Sequence, residues 1–408
     1  MDLMGEMDFT DFGDVAEDSL WGGFSKEAHR GYMTRCLELA ERGWGRVSPN
    51  PMVGAVLVRG GEVVAEGWHA YFGGAHAERM LFEGLGDVGD LSDCILYVSL
   101  EPCAHFGKTP PCANLILEKG VGKVVVGVLD PNPMVSGRGV ALLRAGGVAV
   151  LEGVLEAECR HLNWSFWVNQ VLGRTAVVAK WAETADGYIG RVEESSETSP
   201  LSSEIELISQ EAQLVQNGRV LISGEESGLW VQNLRAGVDA ILVGVNTWNM
   251  DRPKLNVRGI EVPVQPIRIV LDRNGRGEYM SEGLNRSEGE LWVVGGDLNL
   301  SELLKWLYEA QGLGVILVEG GASILQSFVD ADCVDDIHIL RNSQMQLGAG
   351  IKSPNLDRAI LKRDQDFGAD EHWIWQRDFR SDSNGNKGVG LNLNGGFGIG
   401  TEEGERAE

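Results

Sequence analysis

A metal-ligand set divided between two chain segments constrains this fold most. His76-Ala77-Glu78 and Pro102-Cys103-Ala104-His105-Phe106-Gly107-Lys108-Thr109-Pro110-Pro111-Cys112 can meet at one ion if two separate helix starts converge. His76 and Glu78 should open a helix, because Gly73-Gly74 precede them and the apolar Met80-Leu81-Phe82 follow. Cys103 should lie at a strand-to-helix junction. Ile95-Leu96-Tyr97-Val98-Ser99-Leu100 alternates like a strand, and Pro102 ends it. Helix N-termini favour thiolates through their partial positive charge and free amides.

One histidine and two cysteines supply three zinc ligands and leave a fourth position for water. Zinc lowers the pKa of bound water to roughly 7. A carboxylate that is not itself a ligand, here Glu78, can move that water's proton. This is the residue set of hydrolytic deamination of a nucleobase-like ring. An H-x-E triplet alone carries little, and either cysteine alone would read as a small buried hydrophobe. A structural zinc site would fill all four positions with protein, and His105 is the only obvious fourth candidate. A disulfide fits worst, since nothing in the chain indicates export.

Spacing narrows the class. Deaminases of nucleic-acid bases carry P-C-x-x-C, whereas the interval here is longer, polar and basic. The insert reads as a loop over the pocket, with Lys108 and Thr109 available for a phosphate; the plainer reading of Lys108 is a solvated loop lysine. The formal net charge of −25 opposes general nucleic-acid binding, which needs basic surface to displace counterions. No stretch is long and apolar enough to span a membrane, and the N-terminus lacks a basic-then-apolar signal pattern. Six cysteines in 408 residues, two of them metal candidates, fit a reducing cytoplasm.

Length predicts two domains. Residues 1–24 are acidic and turn-rich, a flexible lead-in. Ser25 should cap a helix through Glu41 that buries Met33, Cys36, Leu37 and Ala40. Residues 53–58 and 63–67 form a hairpin through Gly60-Gly61. The metal helix, strand 95–100, a helix from Cys112 to Lys119, strand 123–129 and a helix near 139–145 follow. Leu155 to Asn169 reads as one closing helix, and Gly173 as a boundary. This alternation implies a sheet with helices on both faces. The second half restarts with a buried strand at 175–181, a polar loop with a short helix over 192–218, and buried strands at 239–244, 266–272 and 315–321. The last leads through Gly320-Gly321 into a helical run, Ser323 to Asp330, a turn that lets a phosphate approach helix-terminal amides. Residues 383–408 lack a core pattern and are expected to be disordered.

The chain resembles the bifunctional deaminase/reductase family of riboflavin biosynthesis. In the first half the resemblance rests on Ser48-Pro49-Asn50-Pro51-Met52-Val53-Gly54, Ala75-His76-Ala77-Glu78, and Leu100-Glu101-Pro102-Cys103 through Thr109-Pro110-Pro111-Cys112. Asp130-Pro131-Asn132-Pro133 and Gly137-Arg138-Gly139 also match. In the second half the matches are Thr184-Ala185-Asp186-Gly187, Ile222-Ser223, Leu234-Arg235-Ala236, Val243-Gly244, Asn246-Thr247, Asp251, Pro253, Leu255, Val257-Arg258 and Glu319-Gly320-Gly321. The resemblance implies an α/β chain: a cytidine-deaminase-like three-layer domain (25–172), then a dihydrofolate-reductase-like domain (173–382). It implies deamination of 2,5-diamino-6-(5-phosphoribosylamino)pyrimidin-4(3H)-one with Zn2+, then reduction of the ribosyl group to a ribityl chain with NADPH.

By the same resemblance His76, Cys103 and Cys112 hold zinc and Glu78 is the catalytic carboxylate. Asn50, Lys108, Thr109 and Asn132 hold the deaminase substrate. Ala182, Thr247, Asp251, Gly321, Ala322 and Ser323 line the NADPH, and Arg235, Leu255, Arg258 and Glu319 meet the reductase substrate. Read singly, each arginine is a surface charge. Arg273 is a further candidate for a 2′-phosphate. The expected partners are small phosphorylated pyrimidines, with no nucleic acid and no membrane, and the expected assembly is a homo-oligomer. Three positions depart from the family pattern: Arg219 and Leu221 stand where it has Ser-x-Trp, and Arg252 stands in the middle of the Asp-Asp-Pro or Asp-Asn-Pro turn, here Asp251-Arg252-Pro253. They define the alternative, a deaminase whose second domain is a degenerate scaffold.

Overall fold

The computed structural model describes residues 23–377 apart from 87, 105–109, 133–134, 192–214, 217–218, 280–288, 297–298 and 357–360, with the backbone alone described at 215, 216, 219 and 220. His105, Lys108, Thr109, nearly all of the acidic lead-in, nearly all of the 192–218 loop and the C-terminal tail lie outside the described residues, as does the side chain of Arg219. The chain forms two compact units. One runs to Ala176 and includes Gly237–Asp239 and Leu304–Val315; the other comprises Val177–Ala236, Ala240–Leu303 and the chain from Ile316 onward.

In the first unit Ser25 caps α1 (Lys26–Glu41), its hydroxyl accepting the Ala28 amide. Then come β1 (Gly54–Arg59), β2 (Glu62–Trp68), α2 (Ala77–Gly84), β3 (Ile95–Leu100), α3 (Cys112–Lys119), β4 (Lys123–Val128), α4 (Arg138–Ala145), β5 (Ala149–Glu152), α5 (Glu156–Leu162) and α6 (Trp164–Leu172). The sheet order is β2-β1-β3-β4-β5. β1 is antiparallel to β2 and β3, and β3, β4 and β5 run parallel. Alternate residues Ala55, Leu57, Leu96, Val98, Val124 and Val126 face α2, α3 and α4 through Ala77, Leu81, Ala113, Ile116, Val140 and Leu143. α1 and α5 pack on the strands as well, and helices on both faces complete three layers. Leu81 and Ile116 are fully buried, so truncating either to Ala would cost about 2–5 kcal/mol. This core holds the starts of α2 and α3 beside the C-terminal end of β3.

Two local expectations are corrected. α1 buries Leu39 fully and Leu37 only in part, because the buried stripe His29-Met33-Cys36-Ala40 widens toward 39. The single closing helix is instead α5 and α6, broken at Asn163 (φ −106°, ψ 22°). The Asn163 side chain accepts the Met52 amide at 2.7 Å and donates to the Met52 carbonyl at 2.9 Å, a tertiary demand invisible in helical periodicity.

The second unit contains β6 (Ala176–Thr184), α7 (Glu225–Ala236), β7 (Ala240–Gly244), α8 (Val245–Asp251), β8 (Ile267–Leu271), β9 (Leu291–Val294), β10 (Val315–Glu319), α9 (Ala322–Asp330), β11 (Asp336–Asn342), β12 (Lys362–Phe367) and β13 (Asp370–Gln376). Its sheet order is β9-β8-β7-β10-β6-β11-β13-β12. β7 is parallel to β8 and β10, β8 to β9, and β6 to β11. β13 is antiparallel to β11 and to β12. The four buried strands read from hydrophobicity are present. The C-terminal hairpin was missed because β12, Lys-Arg-Asp-Gln-Asp-Phe, is a charged and mostly exposed edge.

Candidate active sites

His76 is the N-cap of α2 with an extended backbone, and Cys112 is the first residue of α3, so the two helix starts meet as the spacing required. His76 Nδ1 lies 3.4 Å from Cys112 Sγ and 3.7 Å from Cys103 Sγ. The Cys112 amide donates to Cys103 Sγ at 3.3 Å. The three ligand atoms lie within 4.8 Å of one another, the one such group among the described residues. Zinc bonds of about 2.0–2.3 Å put tetrahedral ligand atoms roughly 3.5 Å apart, so the donor set fits the ion. Hydrogen bonding from the Cys112 thiol, then from His76 and the Cys112 amide, lowers the Cys103 pKa to about 4 against the effect of burial. The Cys112 thiol, as donor, is pushed up, and His76 is pushed up chiefly by Cys103.

Glu78 is 3% exposed and follows His76 by two residues. Burial, then the Cys103 charge, pushes its carboxyl up, the condition of a group that exchanges protons rather than one that holds a salt bridge. Asn50 reaches the same place. Its Nδ2 lies 3.2 Å from His69 Nε2, while His69 Nδ1 lies 2.9 Å from the Ala75 carbonyl. A carbonyl only accepts, so His69 carries its proton on Nδ1 and Nε2 accepts from Asn50. Burial favours this neutral ring. His69 was not singled out from sequence; its only signal was a histidine in the turn that precedes Gly73-Gly74.

Glu101, within Leu100-Glu101-Pro102-Cys103, has a role that its sequence context does not signal. It is buried, and its carboxylate accepts four backbone amides: Asp130 (3.1 Å), Gly137 (2.9 Å), Gly139 (2.8 Å) and Val140 (3.2 Å). Asn132 sits on the loop so fixed. Its amide donates to Asp130 Oδ1 at 2.8 Å and its Nδ2 to Gln170 Oε1 at 3.1 Å.

In the second unit Arg235, in the last turn of α7, and Glu319, at the end of β10, form a bidentate pair: Nε to Oε1 at 2.9 Å and Nη2 to Oε2 at 2.6 Å. The side chains are only 12% and 14% exposed. Burial opposes the charge on Glu319, but Arg235, Lys180 and Arg258 outweigh it and hold the carboxyl below its usual range. Asn256 joins the two arginines, accepting Arg235 Nη1 on its carbonyl (3.2 Å) and Arg258 Nη1 on Oδ1 (2.9 Å). Arg258 itself is exposed, and Leu255 is 2% exposed, a wall of the core in a left-handed backbone conformation (φ 48°). Lys180 and Asn256 were missed. A lysine inside the apolar strand 175–181 was the available signal for the first.

Thr247 Oγ1 accepts the Gly321 amide at 3.0 Å, bringing the start of α8 to the turn that opens α9. Gly320 has φ 155°, and a β-carbon there would press on Ile324 and Thr247. Ala322 and Ser323 begin α9, Asp251 ends α8, and Ala182 lies half-buried on β6 in register with Leu340. Arg252 bonds the Glu278 carbonyl at 2.5 Å and pairs with the Glu278 carboxylate at the surface. Leu221 is exposed, and Arg273 is exposed.

Comparison with known proteins follows the two units. Residues 26–128 match the family described as the cytidine and deoxycytidylate deaminase zinc-binding region, and 175–352 match the RibD C-terminal domain. The riboflavin biosynthesis protein RibD of Actinobacillus pleuropneumoniae is 36% identical over 361 residues, covering 82% of this chain and 89% of that protein. RibD of Aquifex aeolicus is 35% identical over 76% of this chain and 86% of its own length. Among solved structures, the diaminohydroxyphosphoribosylaminopyrimidine deaminase/5-amino-6-(5-phosphoribosylamino)uracil reductase of Thermotoga maritima is 32% identical. It aligns with a TM-score of 0.71 over 86% of this chain and 99% of that one.

Proposed function

Because the chain belongs to the RibD family of riboflavin biosynthesis proteins, in which one polypeptide carries both a deaminase and a reductase, we propose roles for its residues in each step. The enzyme deaminates 2,5-diamino-6-(5-phosphoribosylamino)pyrimidin-4(3H)-one with Zn2+ and then reduces the ribosyl group to a ribityl chain with NADPH. We assign the deaminase to residues 25–172 and the reductase to 173–382.

His76, Cys103 and Cys112 hold the zinc, which supplies the Lewis acidity that makes water nucleophilic near neutral pH. Glu78 takes the proton of the attacking water and returns it to the departing amine, so water enters and ammonia leaves. Its burial beside three convergent ligands is the observation that carries this reading. Asn50, oriented by His69, presents its side-chain oxygen to the substrate. Asn132, fixed through Glu101, stands on the opposite loop, and Lys108 and Thr109 meet the phosphate.

In the reductase half NADPH supplies the hydride. Thr247, Asp251, Ala182 and Gly321 to Ser323 line its site, the N-terminal amides of α9 favouring a phosphate. Arg258 meets the substrate phosphate, Leu255 walls the site, and Glu319, held ionised by Arg235 and Lys180, meets the sugar as a charged acceptor. The scaffold alternative is not favoured: the Arg235–Glu319 pair and the Thr247–Gly321 bond are intact, and Arg252 is engaged with Glu278. A net charge of −25 disfavours nucleic acid but does not prevent capture of a small phosphorylated substrate, which local Arg and Lys groups decide. No helix among the described residues is long and apolar enough to cross a membrane. Six unpaired cysteines suit a reducing cytoplasm. A homo-oligomer remains our expected assembly.

The test is mass spectrometry of products from the zinc-loaded chain. Deaminated product without NADPH, and ribityl product only with it, is the expected result. Deamination alone in both cases would restore the scaffold reading.

A further inference from the structure

A second histidine pair lies in the reductase sheet, and nothing in the two reactions uses it. His338 Nε2 is 3.2 Å from Asp336 Oδ2, His338 Nδ1 is 3.0 Å from His372 Nε2, and His372 Nδ1 is 3.0 Å from Asp364 Oδ2. The four groups form a line across three strands, β11, β13 and β12. A bulge makes its last link: Arg363 pairs with Trp373 and Gln365 with His372, leaving Asp364 as the extra residue turned to His372. Trp230 of α7 covers both rings, at 4.4 Å from His372 and 5.0 Å from His338 between centroids.

Counting protons decides the state of this line. It has three gaps, each between two atoms that both accept when unprotonated, so each gap needs one proton. Two neutral imidazoles bring only two. With both in the outer gaps, two lone pairs would face each other at 3.0 Å; with one moved inward, a lone pair would face a carboxylate. A third proton fills every gap: His338 as imidazolium donates to Asp336 and His372, and His372 as neutral imidazole donates to Asp364. Burial first, then the charge of His338, lowers the His372 pKa to about 4, consistent with a pair that refuses a fourth proton.

The surroundings tolerate that charge. Asp336 of β11, Asp364 of β12 and Asp370 of β13 are the acidic neighbours; Asp370 Oδ2 accepts Gly224 N and Ser227 Oγ at the start of α7. Lys180 of β6, in register with His338, is the opposing cation. From α7 come the Trp230 face and Glu226, which lies beside Gly368 in the turn of the hairpin. Arg363 is taken by Asp366 and Glu371, and Arg341 by Glu183.

We infer that Asp336, His338, His372 and Asp364 form a proton-held clasp that ties the C-terminal hairpin and α7 to the reductase sheet and opens as pH rises. The sign follows from the third proton. It is held in the folded line and lost when imidazolium gives way to imidazole, so the clasp fails at alkaline pH; because His372 is held low and refuses the fourth proton that two free imidazoles take up, the contribution also shrinks as pH falls below about 6.5. α7 also carries Arg235, so loosening reaches the reductase half.

The test uses the full chain labelled with 15N, with the imidazole resonances assigned through H338Q and H372Q. At about pH 6 the pair should show three protonated ring nitrogens and one bare one, falling to two by about pH 9. Amide exchange, corrected for its intrinsic pH dependence, should show protection of Asp370–Gln376 falling by about severalfold from about pH 7 to about pH 9 in the wild type and remaining flat in H338Q. Two protonated nitrogens at pH 6, or the same loss of protection in H338Q, would overturn the clasp. If H338Q fails to fold, the nitrogen count in the wild type decides alone.

Discussion

Oε1 of Glu101 accepts the Gly139 amide at 2.8 Å, and Gly139 lies so close beneath the Pro102 carbonyl that a β-carbon would overlap it. The strand end that delivers Cys103 and the loop that carries Asn132 are thereby fixed to each other. E101Q would turn an NH2 group toward amides that need an acceptor, leaving buried donors unsatisfied at about 1–3 kcal/mol each. We expect a lower thermal midpoint and less zinc per chain. A variant matching the wild type in both would show that the four bonds do not position the site.

E78Q tests proton transfer separately from metal binding. The amide keeps the shape of the buried side chain and removes its basicity. Deamination should fall by a factor of about 10²–10⁴. Zinc content should match the wild type, and reduction of supplied deaminated intermediate should continue. Parallel loss of zinc would make Glu78 a structural group instead.

The metal site was legible in the sequence because its geometry is local: His76 and Cys112 stand at helix starts, Cys103 lies just past the end of β3, and turn residues announce these places. α3 falls over Cys112–Lys119 and β3 over Ile95–Leu100 as their patterns require. What escaped was long-range. The break at Asn163 answers to Met52, and Glu101 answers to amides near residues 130–140. Lys180 acquires meaning only once β6 lies beside β10, which brings Glu319 near it. The charged strand β12 pairs through its backbone, which side-chain alternation does not report.

Arg252 looked from sequence like a defect in the reductase half. Its side chain is bound to Glu278, and both are exposed, an arrangement that contributes little. R252A should therefore change reductase kcat/KM by less than about threefold and unfolding by under about 1 kcal/mol. A loss of NADPH binding, read by fluorescence titration, would make Arg252 part of the cofactor site.

Glu319 gives the second site a pH signature. Arg235 and Lys180 hold its carboxyl below the ordinary value despite burial, so the unfolded chain takes up its proton first as pH falls. The pair therefore stabilises the fold above about pH 4.3, and that contribution is lost as pH falls further through the lowered folded value. E319Q leaves Arg235 buried without its partner, a loss of about 3–5 kcal/mol at neutral pH. Denaturant midpoints should separate wild type and E319Q widely at about pH 7 and converge as pH falls below about 4. Reduction should be lost in E319Q while deamination is retained, because the zinc ligands and Glu78 lie in the other unit. An unchanged gap across that pH range would mean the deficit comes from packing rather than charge.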